Sequence, residues 1–124
     1  MKDLFITSAK RTAVGSLGKS LKNVSSDELG SSVISEAIKK SNLKSTDIDE
    51  VIMGQVLTGG TGQNPARQAS IKSGIPKEKP AYVVNQVCGS GIRSVASAYQ
   101  SIKSGDAKII IAGGQESMSL APHA

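Results

Sequence analysis

The stretch AYVVNQVCGSG at residues 81–91 sets the fold class, because a valine-rich run gives way there to a helical pattern. Tyr82–Val87 is predicted to be a β-strand. A helix is expected from about Gly89 to Ser104, with Gly105 ending it. Its apolar face consists of Ile92, Val95, Ala96, Tyr99 and Ile102. The next run, Lys108–Ala112, holds three consecutive isoleucines and is predicted to be a strand buried on both faces.

An earlier helix carries clear start and stop signals. Ser25 and Glu28 have the spacing of a capping box, in which each side chain bonds the other residue's backbone N–H. Asn42 follows the last helical residues, and asparagine tolerates the left-handed conformation that ends many helices. The apolar positions that recur on one face of this helix are Leu29, Val33, Ala37 and Ile38.

Two further strands and one helix complete the pattern. Leu4–Thr7 is predicted to be the first strand and Glu50–Leu57 the second. Asn64 then caps a helix that has Pro65 at its first position and stops near Gly74. The order β-α-β-α-β-α-β predicts an α/β fold with right-handed crossovers, a largely parallel sheet and helices on both faces.

Composition excludes several classes of function. The chain has 124 residues, enough for one domain or part of one. Aromatic residues make up only 2%, so binding of nucleic acid by base stacking is not expected. The net charge of +5 fits either a solvated lysine-rich surface or a partner that carries phosphates, such as a nucleotide or coenzyme A.

Membrane, secretory and metal functions are likewise not expected. The longest apolar run is far too short to span a bilayer, and the N-terminal residues lack the pattern of a secretory signal. A cytoplasmic location is therefore predicted. The single cysteine excludes an internal disulfide and a cysteine-cluster metal site, so this residue is either part of the core or a reactive thiol.

Cys88 is that residue, and its neighbours favour a reactive thiol. It lies where a strand gives way to a helix, and Gly89 and Gly91 let a substrate approach the main chain. The unpaired N–H groups at a helix N-terminus favour a thiolate over a thiol and can stabilise a developing oxyanion. The alternative is a buried cysteine that acts only as a small apolar side chain.

A phosphate-binding loop is a rival reading of another segment. Ala13–Ser20 nearly matches the GxxxxGK[ST] pattern, with alanine where the first glycine is expected. Such a loop needs a helix that begins at Lys19-Ser20, because its first N–H groups must point at the phosphates. The helix signals begin later, at Ser25, so nucleotide binding is not favoured.

The chain resembles the thiolases in four segments, in the order that the family has them. Asn85–Gly91 resembles the family's nucleophile motif, and Ser8–Gly15 resembles its first strand and loop. Gly54–Leu57 followed by Gly62–Ala69 resembles the second strand and the next helix. Gly113–Ser119 resembles the glycine-rich turn after the fourth strand. The resemblance implies a thiolase-like N-terminal half-domain.

The resemblance implies an acyltransferase with no bound cofactor and with coenzyme A thioesters as substrates. Cys88 would be the catalytic nucleophile, attacking acetyl-CoA and carrying the acyl group, while its backbone N–H lies in the oxyanion hole. A second acetyl-CoA would lose an α-proton and attack the acyl-enzyme, which gives acetoacetyl-CoA. The reverse reaction is thiolysis.

The other catalytic residues of thiolases have no counterparts here. They lie in Asn-Glu-Ala-Phe, Gly-His-Pro and Cys-Gly-Gly-Gly stretches, and none of these occurs in the chain. The one histidine, His123, is read as a surface residue. Residues 1–124 are therefore expected to be an incomplete N-terminal domain without the coenzyme A loop region and the C-terminal domain. This chain alone is predicted to be inactive, and the full-length protein is expected to form a homodimer or homotetramer.

Two alternatives stay open. The chain could be a non-enzymatic fragment that only associates with other subunits. It could instead belong to another thiolase-like condensing enzyme, such as a ketoacyl synthase or a hydroxymethylglutaryl-CoA synthase, although the Gln63–Ala69 match argues against these. Within thiolases, the same region favours the acetoacetyl-CoA type over the long-chain degradative type.

Overall fold

A computed structural model describes residues 3–124. The helices are α1 (Ser26–Lys40), α2 (Pro65–Lys72) and α3 (Ser90–Ser104), and a 3-10 turn spans Ser45–Asp47. The strands are β1 (Glu50–Gly54), β2 (Ala81–Val84) and β3 (Ile110–Gly114). Within these described residues, no helix is long and apolar enough to cross a membrane.

The three strands form one parallel sheet with the order β2-β1-β3. Val51 in the central strand lies opposite Ala81 on one side and Ile111 on the other. Parallel neighbours require crossover connections, and α2, α3 and the loops around them provide these. The α/β class and the parallel sheet predicted from the sequence are thus confirmed.

Helices cover both faces of the sheet, as predicted. Side chains alternate along β1, so Val51 and Met53 face one way while Ile52 and Gly54 face the other. Val51 and Met53 lie in the main core beneath α1 and α2. Gly54 contacts the start of α3, which covers the opposite face. The buried members of the main core are Ile34, Ile38, Ile48, Val51, Met53, Ala66, Ala69 and Ile75.

The capping signals read from the sequence are present. Glu28 N donates to Ser25 Oγ at 3.3 Å, and Ser25 N donates to Glu28 Oε2 at 3.0 Å, which forms the capping box of α1. Asn42 has φ 54° just past the end of that helix. Asn64 caps α2 by accepting from Arg67 N at 3.1 Å, with Pro65 as the first helical residue.

The predicted first strand, Leu4–Thr7, is wrong. This segment has no regular structure, and its Phe5 and Ile6 side chains are 80% and 83% exposed. It lies beside the end of α1, where Ser8 Oγ donates to Ala37 O at 2.9 Å. A strand needs a neighbour for its backbone N–H and C=O groups, and no strand of the described chain pairs with these residues.

The other three strands were predicted correctly, but their bounds differ. β1 ends at Gly54 rather than Leu57. Gln55 N still donates to Val84 O in β2, but the N–H groups of Val56 and Leu57 bond the side chain of Glu116 instead of a strand. β2 ends at Val84, before the turn that holds Cys88. β3 begins and ends two residues later in the chain than predicted. It is only half-buried, since within residues 3–124 it has a neighbouring strand on one side only.

Asp49 ties together the entrances of β1 and β3. Its Oδ2 atom accepts from Lys108 N at 2.9 Å and from Ile109 N at 3.1 Å. The N–H of Lys108, followed by that of Ile109, lowers the pKa of Asp49 below 3.8. One carboxylate therefore aligns two strands at the amino edge of the sheet.

Asp27 joins α1 to α2 through an ion pair with Lys72. The Asp27 side chain is 9% exposed, whereas that of Lys72 is 49% exposed. Burial alone would raise the pKa of Asp27, but the hydrogen bonds from Lys72 and Ser25, together with the backbone N–H of Asp27 and the charge of Lys72, lower it below 3.8. The pair stabilises the helix layer when the carboxyl group is ionised.

Replacing Asp27 with asparagine is expected to cost about 1–2 kcal/mol at neutral pH, because Lys72 loses its anionic partner. The folded pKa of Asp27 is lowered, so its contribution is present above the unfolded value and disappears as the pH falls below about 4. Urea unfolding at a series of pH values measures both effects. A difference between the two proteins that persists unchanged at about pH 2 would contradict this assignment.

Candidate active site

Cys88 lies in the turn of residues 85–89 that joins β2 to α3. The strand ends at Val84, and the helix begins at Ser90 with Gly89 as its N-cap residue. The Cys88 side chain is exposed, so it is not a core cysteine. The structure thus places it between a strand and a helix N-terminus, as the sequence predicts.

The turn before Cys88 is strained. Val87 has φ 50°, in the left-handed region that β-branched residues rarely adopt. Such a conformation costs on the order of 1–3 kcal/mol and persists only where surrounding contacts enforce it. Its side chain is 65% exposed, so burial does not compensate. The hydrogen bonds around Val87 must therefore hold it.

Asn85 and Ser90 supply those hydrogen bonds. Val87 N donates to Asn85 Oδ1 at 3.0 Å. Ser90 Oγ accepts from Gln86 N at 2.8 Å and donates to Val87 O at 2.6 Å, and this serine is only 4% exposed. The sequence motif contains both residues, but their holding role was missed because it depends on the path of the turn.

Two glycines, Gly54 and Gly114, let the start of α3 approach the sheet closely. A Cβ atom at Gly54 would lie 2.4 Å from the carbonyl carbon of Ser90. A Cβ atom at Gly114 would lie 3.4 Å from the Cα atom of Gly91. The ends of β1 and β3 therefore approach the helix N-terminus backbone to backbone, and this contact sets the position of Cys88.

Cys88 lines an open cleft of about 940 Å³ at the carboxyl edge of the sheet. The segment Lys10–Leu17 forms one wall. Residues 54–57 and 114–119, which follow β1 and β3, form much of the rest. In parallel α/β sheets ligands bind at this edge, and the volume is that of a small-molecule site.

A buried amide pair underlies this edge. Gln55 is 1% exposed and Gln115 is 7% exposed. Gln115 Nε2 donates to Gln55 Oε1 at 3.0 Å and to Pro65 O at 3.1 Å. Gln55 Nε2 donates to Ser26 Oγ at 3.0 Å. The amides thus join the strand exits to the N-termini of α1 and α2.

Other candidate groups fall outside this site. His123 is exposed and does not line the cleft, which agrees with its reading as a surface residue. Residues 3–124 contain no group of three or more histidine, cysteine or acidic residues placed to hold a metal ion. Lys19 and Ser20 lie in a turn, and the next helix begins at Ser26, so no phosphate-binding loop forms.

Comparison with known proteins supplies the family. The family described as "Thiolase, N-terminal domain" matches residues 4–124. The chain therefore belongs to the thiolase family, as its four motifs indicated.

Curated relatives carry a consistent name. The chain is 54% identical to an acetyl-CoA acetyltransferase of Cupriavidus necator over 123 residues, which cover 99% of this chain and 31% of that protein. It is 53% identical to an acetyl-CoA acetyltransferase of Escherichia coli, again covering 99% of this chain and 31% of the relative. The chain thus spans about a third of the length of these relatives.

Solved structures share the fold. An acetyl-CoA acetyltransferase of Bacillus anthracis superimposes with a TM-score of 0.92 at 36% identity, covering 96% of this chain and 30% of that one. A thiolase of Ascaris suum in complex with coenzyme A gives a TM-score of 0.84 at 45% identity, covering 86% and 28%.

Replacing Gly54 with alanine is expected to destabilise the chain by about 2–4 kcal/mol, because the new methyl group would overlap the backbone of Ser90. The displaced helix would also change the rate at which iodoacetamide alkylates Cys88. Gly113→Ala is the matched control, since a Cβ atom there meets Met53 Sδ at an ordinary 3.6 Å. Equal urea midpoints for the two variants would refute the close approach.

Proposed function

We propose that Cys88 is the acyl-carrying nucleophile of a thiolase-type acyltransferase, which joins two acetyl-CoA molecules into acetoacetyl-CoA and also runs in reverse. The observation that carries this proposal is the position of the chain's one cysteine, exposed in a held, strained turn beside a cleft. The thiolase family membership supports it, as do the relatives named acetyl-CoA acetyltransferase.

The first half of the reaction is a thioester exchange. The Cys88 thiolate attacks the carbonyl carbon of acetyl-CoA, a new carbon–sulfur bond forms, and coenzyme A leaves as a thiolate. The negative charge that develops on the carbonyl oxygen needs hydrogen-bond donors in place before the attack. The backbone N–H of Cys88 is proposed as one of these donors. The fixed turn suits this role, because it leaves the donor little freedom to reorient.

The second half needs a base that removes a proton from acetyl-CoA. The chain has a single histidine and a single cysteine, and the histidine does not line the cleft. Glu116 does line it, but both of its carboxylate oxygens already accept backbone N–H groups. We therefore propose that residues 1–124 form part of an N-terminal domain, whose missing base belongs to the rest of a thiolase.

The exposed face of α3 also supports the proposal that this chain is one part of a longer thiolase. Ile92 and Tyr99 are 76% and 51% exposed on this helix, although their spacing is that of a buried stripe. We propose that other parts of a full-length thiolase cover this face, in a homodimer or homotetramer. The cytoplasmic location stays a prediction from the sequence.

Acetylation of Cys88 tests the nucleophile directly. With a simple acetyl thioester near neutral pH, the folded chain is expected to acquire one acetyl group at Cys88. The rate should be about fivefold or more above that of a peptide with residues 84–92, because only the folded chain holds the turn against the helix N-terminus. Intact-mass spectrometry over time measures both rates.

Cys88→Ser is the control for this experiment, since it keeps the turn but removes the thiol. Equal rates for the folded chain and the peptide would sink the nucleophile proposal. That result would favour a fragment that only associates with other subunits.

The isolated chain is expected to show no thiolysis of acetoacetyl-CoA by coenzyme A above the level of Cys88→Ala. It lacks the group that removes the α-proton of acetyl-CoA in condensation and, in thiolysis, returns a proton to the departing acetyl-CoA carbanion. Loss of the acetoacetyl-CoA absorbance and chromatography of the products follow the reaction. Clear turnover that depends on Cys88 would show that the 124 residues supply a base after all.

A further inference from the structure

We infer that Glu116 is a positioning residue for Cys88, acting on its turn through the backbone of Val56 and the side chain of Asn85. The inference deepens the proposed function and rests on the role proposed there for Cys88. Its elements come from three separate parts of the chain, which meet at the carboxyl edge of the sheet.

Glu116 accepts two hydrogen bonds from the backbone segment that follows β1. Its Oε2 atom accepts from Val56 N at 2.8 Å, and its Oε1 atom accepts from Leu57 N at 3.0 Å. Hydrogen bonds to an ionised carboxylate are about twice as strong as neutral ones. Because each oxygen takes one of two consecutive N–H groups, the direction of this backbone is set as well as its position.

Asn85 links this backbone segment to the turn that holds Cys88 through two hydrogen bonds. Its Nδ2 atom donates to Val56 O at 3.3 Å, while its Oδ1 atom accepts from Val87 N at 3.0 Å. Val87 is the strained residue directly before Cys88. The side chain of Asn85 is thus oriented from one end by the residue that Glu116 holds, and it restrains Val87 from the other end.

The base of this connection is anchored. Gln55 N donates to Val84 O at 3.1 Å, and Gln115 N donates to Gly54 O at 2.9 Å. These bonds extend the sheet by one step on each side of β1. The backbone at Glu116 therefore has a fixed position relative to β1. The hydrogen bond between the side chains of Gln55 and Gln115 prevents Glu116 from shifting along that strand.

Asp49 provides an internal comparison. It also accepts two consecutive backbone N–H groups, those of Lys108 and Ile109, with one carboxylate. It lies at the opposite edge of the same sheet, where β1 and β3 begin. Both of these bonds go to its Oδ2 atom, so removing its charge should weaken them without breaking them and without reaching Cys88.

The experiment compares Glu116→Gln with Asp49→Asn in the 124-residue chain. Each amide keeps the shape of the acid but removes its charge. In Glu116→Gln the NH₂ group replaces one accepting oxygen and opposes one of the two N–H groups. In Asp49→Asn the amide oxygen can still accept both N–H groups, as Oδ2 of Asp49 does. Urea unfolding measures the stability of each variant. NMR hydrogen exchange at the Val87 amide and alkylation of Cys88 by iodoacetamide measure the turn itself, and the single cysteine makes the label specific.

After correction for stability, Glu116→Gln is expected to raise exchange at the Val87 amide about tenfold. It should also slow alkylation of Cys88 about threefold, because the turn no longer fixes the cysteine side chain in the open cleft. Asp49→Asn should change neither. If both variants changed Val87 exchange and Cys88 alkylation equally, Glu116 would have only a general role in stability. If alkylation slowed while Val87 exchange stayed unchanged, the effect of Glu116 would not pass through Asn85.

A double-mutant cycle adds a second readout. Asn85→Ala and Glu116→Gln should be non-additive for Val87 exchange, whereas Asn85→Ala and Asp49→Asn should be additive. Additivity in both cycles would overturn the inference. Iodoacetamide needs no acyl donor, so failure of Cys88 to become acetylated would count against the proposed function alone, while failure of the exchange test would count against Glu116 alone.

Discussion

The backbone contact between the start of α3 and the ends of β1 and β3 governs the rest of this structure. Gly54 and Gly114 leave no side chain between sheet and helix, so the helix N-terminus rests directly on the carboxyl edge. Ser94 reinforces the contact one turn later, since its Oγ donates to Gly113 O at 2.8 Å. Cys88 is the residue that this approach brings to the cleft.

Polar side chains hold the rest of that edge in place through hydrogen bonds. Strands that end without neighbours leave backbone N–H groups to be satisfied, and here Glu116 satisfies two of them. The buried amides of Gln55 and Gln115 bond each other and the adjacent loops. The edge that forms the cleft wall is therefore held by directed bonds rather than by apolar packing, which suits a site where small changes in position matter.

Features with a local cause could be predicted from the sequence. The capping box of α1 and the Asn64–Pro65 start of α2 involve residues close together in the chain, and both are present. The parallel sheet followed from the alternation of strands and helices. The prediction of a strand at Leu4–Thr7 was wrong. The apolar run there is typical of a strand, but a strand also needs a pairing neighbour, which lies far away in the chain. The holding roles of Asn85 and Ser90 were missed for a related reason, since they depend on a left-handed Val87 that no local signal predicts.

For the site, the sequence by itself determined the family resemblance, the single cysteine and its place between a strand and a helix. These depend on residue identity and on short-range pattern, which the chain carries in one dimension. Only the tertiary structure decided that Glu116, Val56 and Asn85 meet beside Cys88. Val56 and Glu116 are 60 residues apart in the chain, and their contact exists because parallel strands bring their carboxyl ends to one edge.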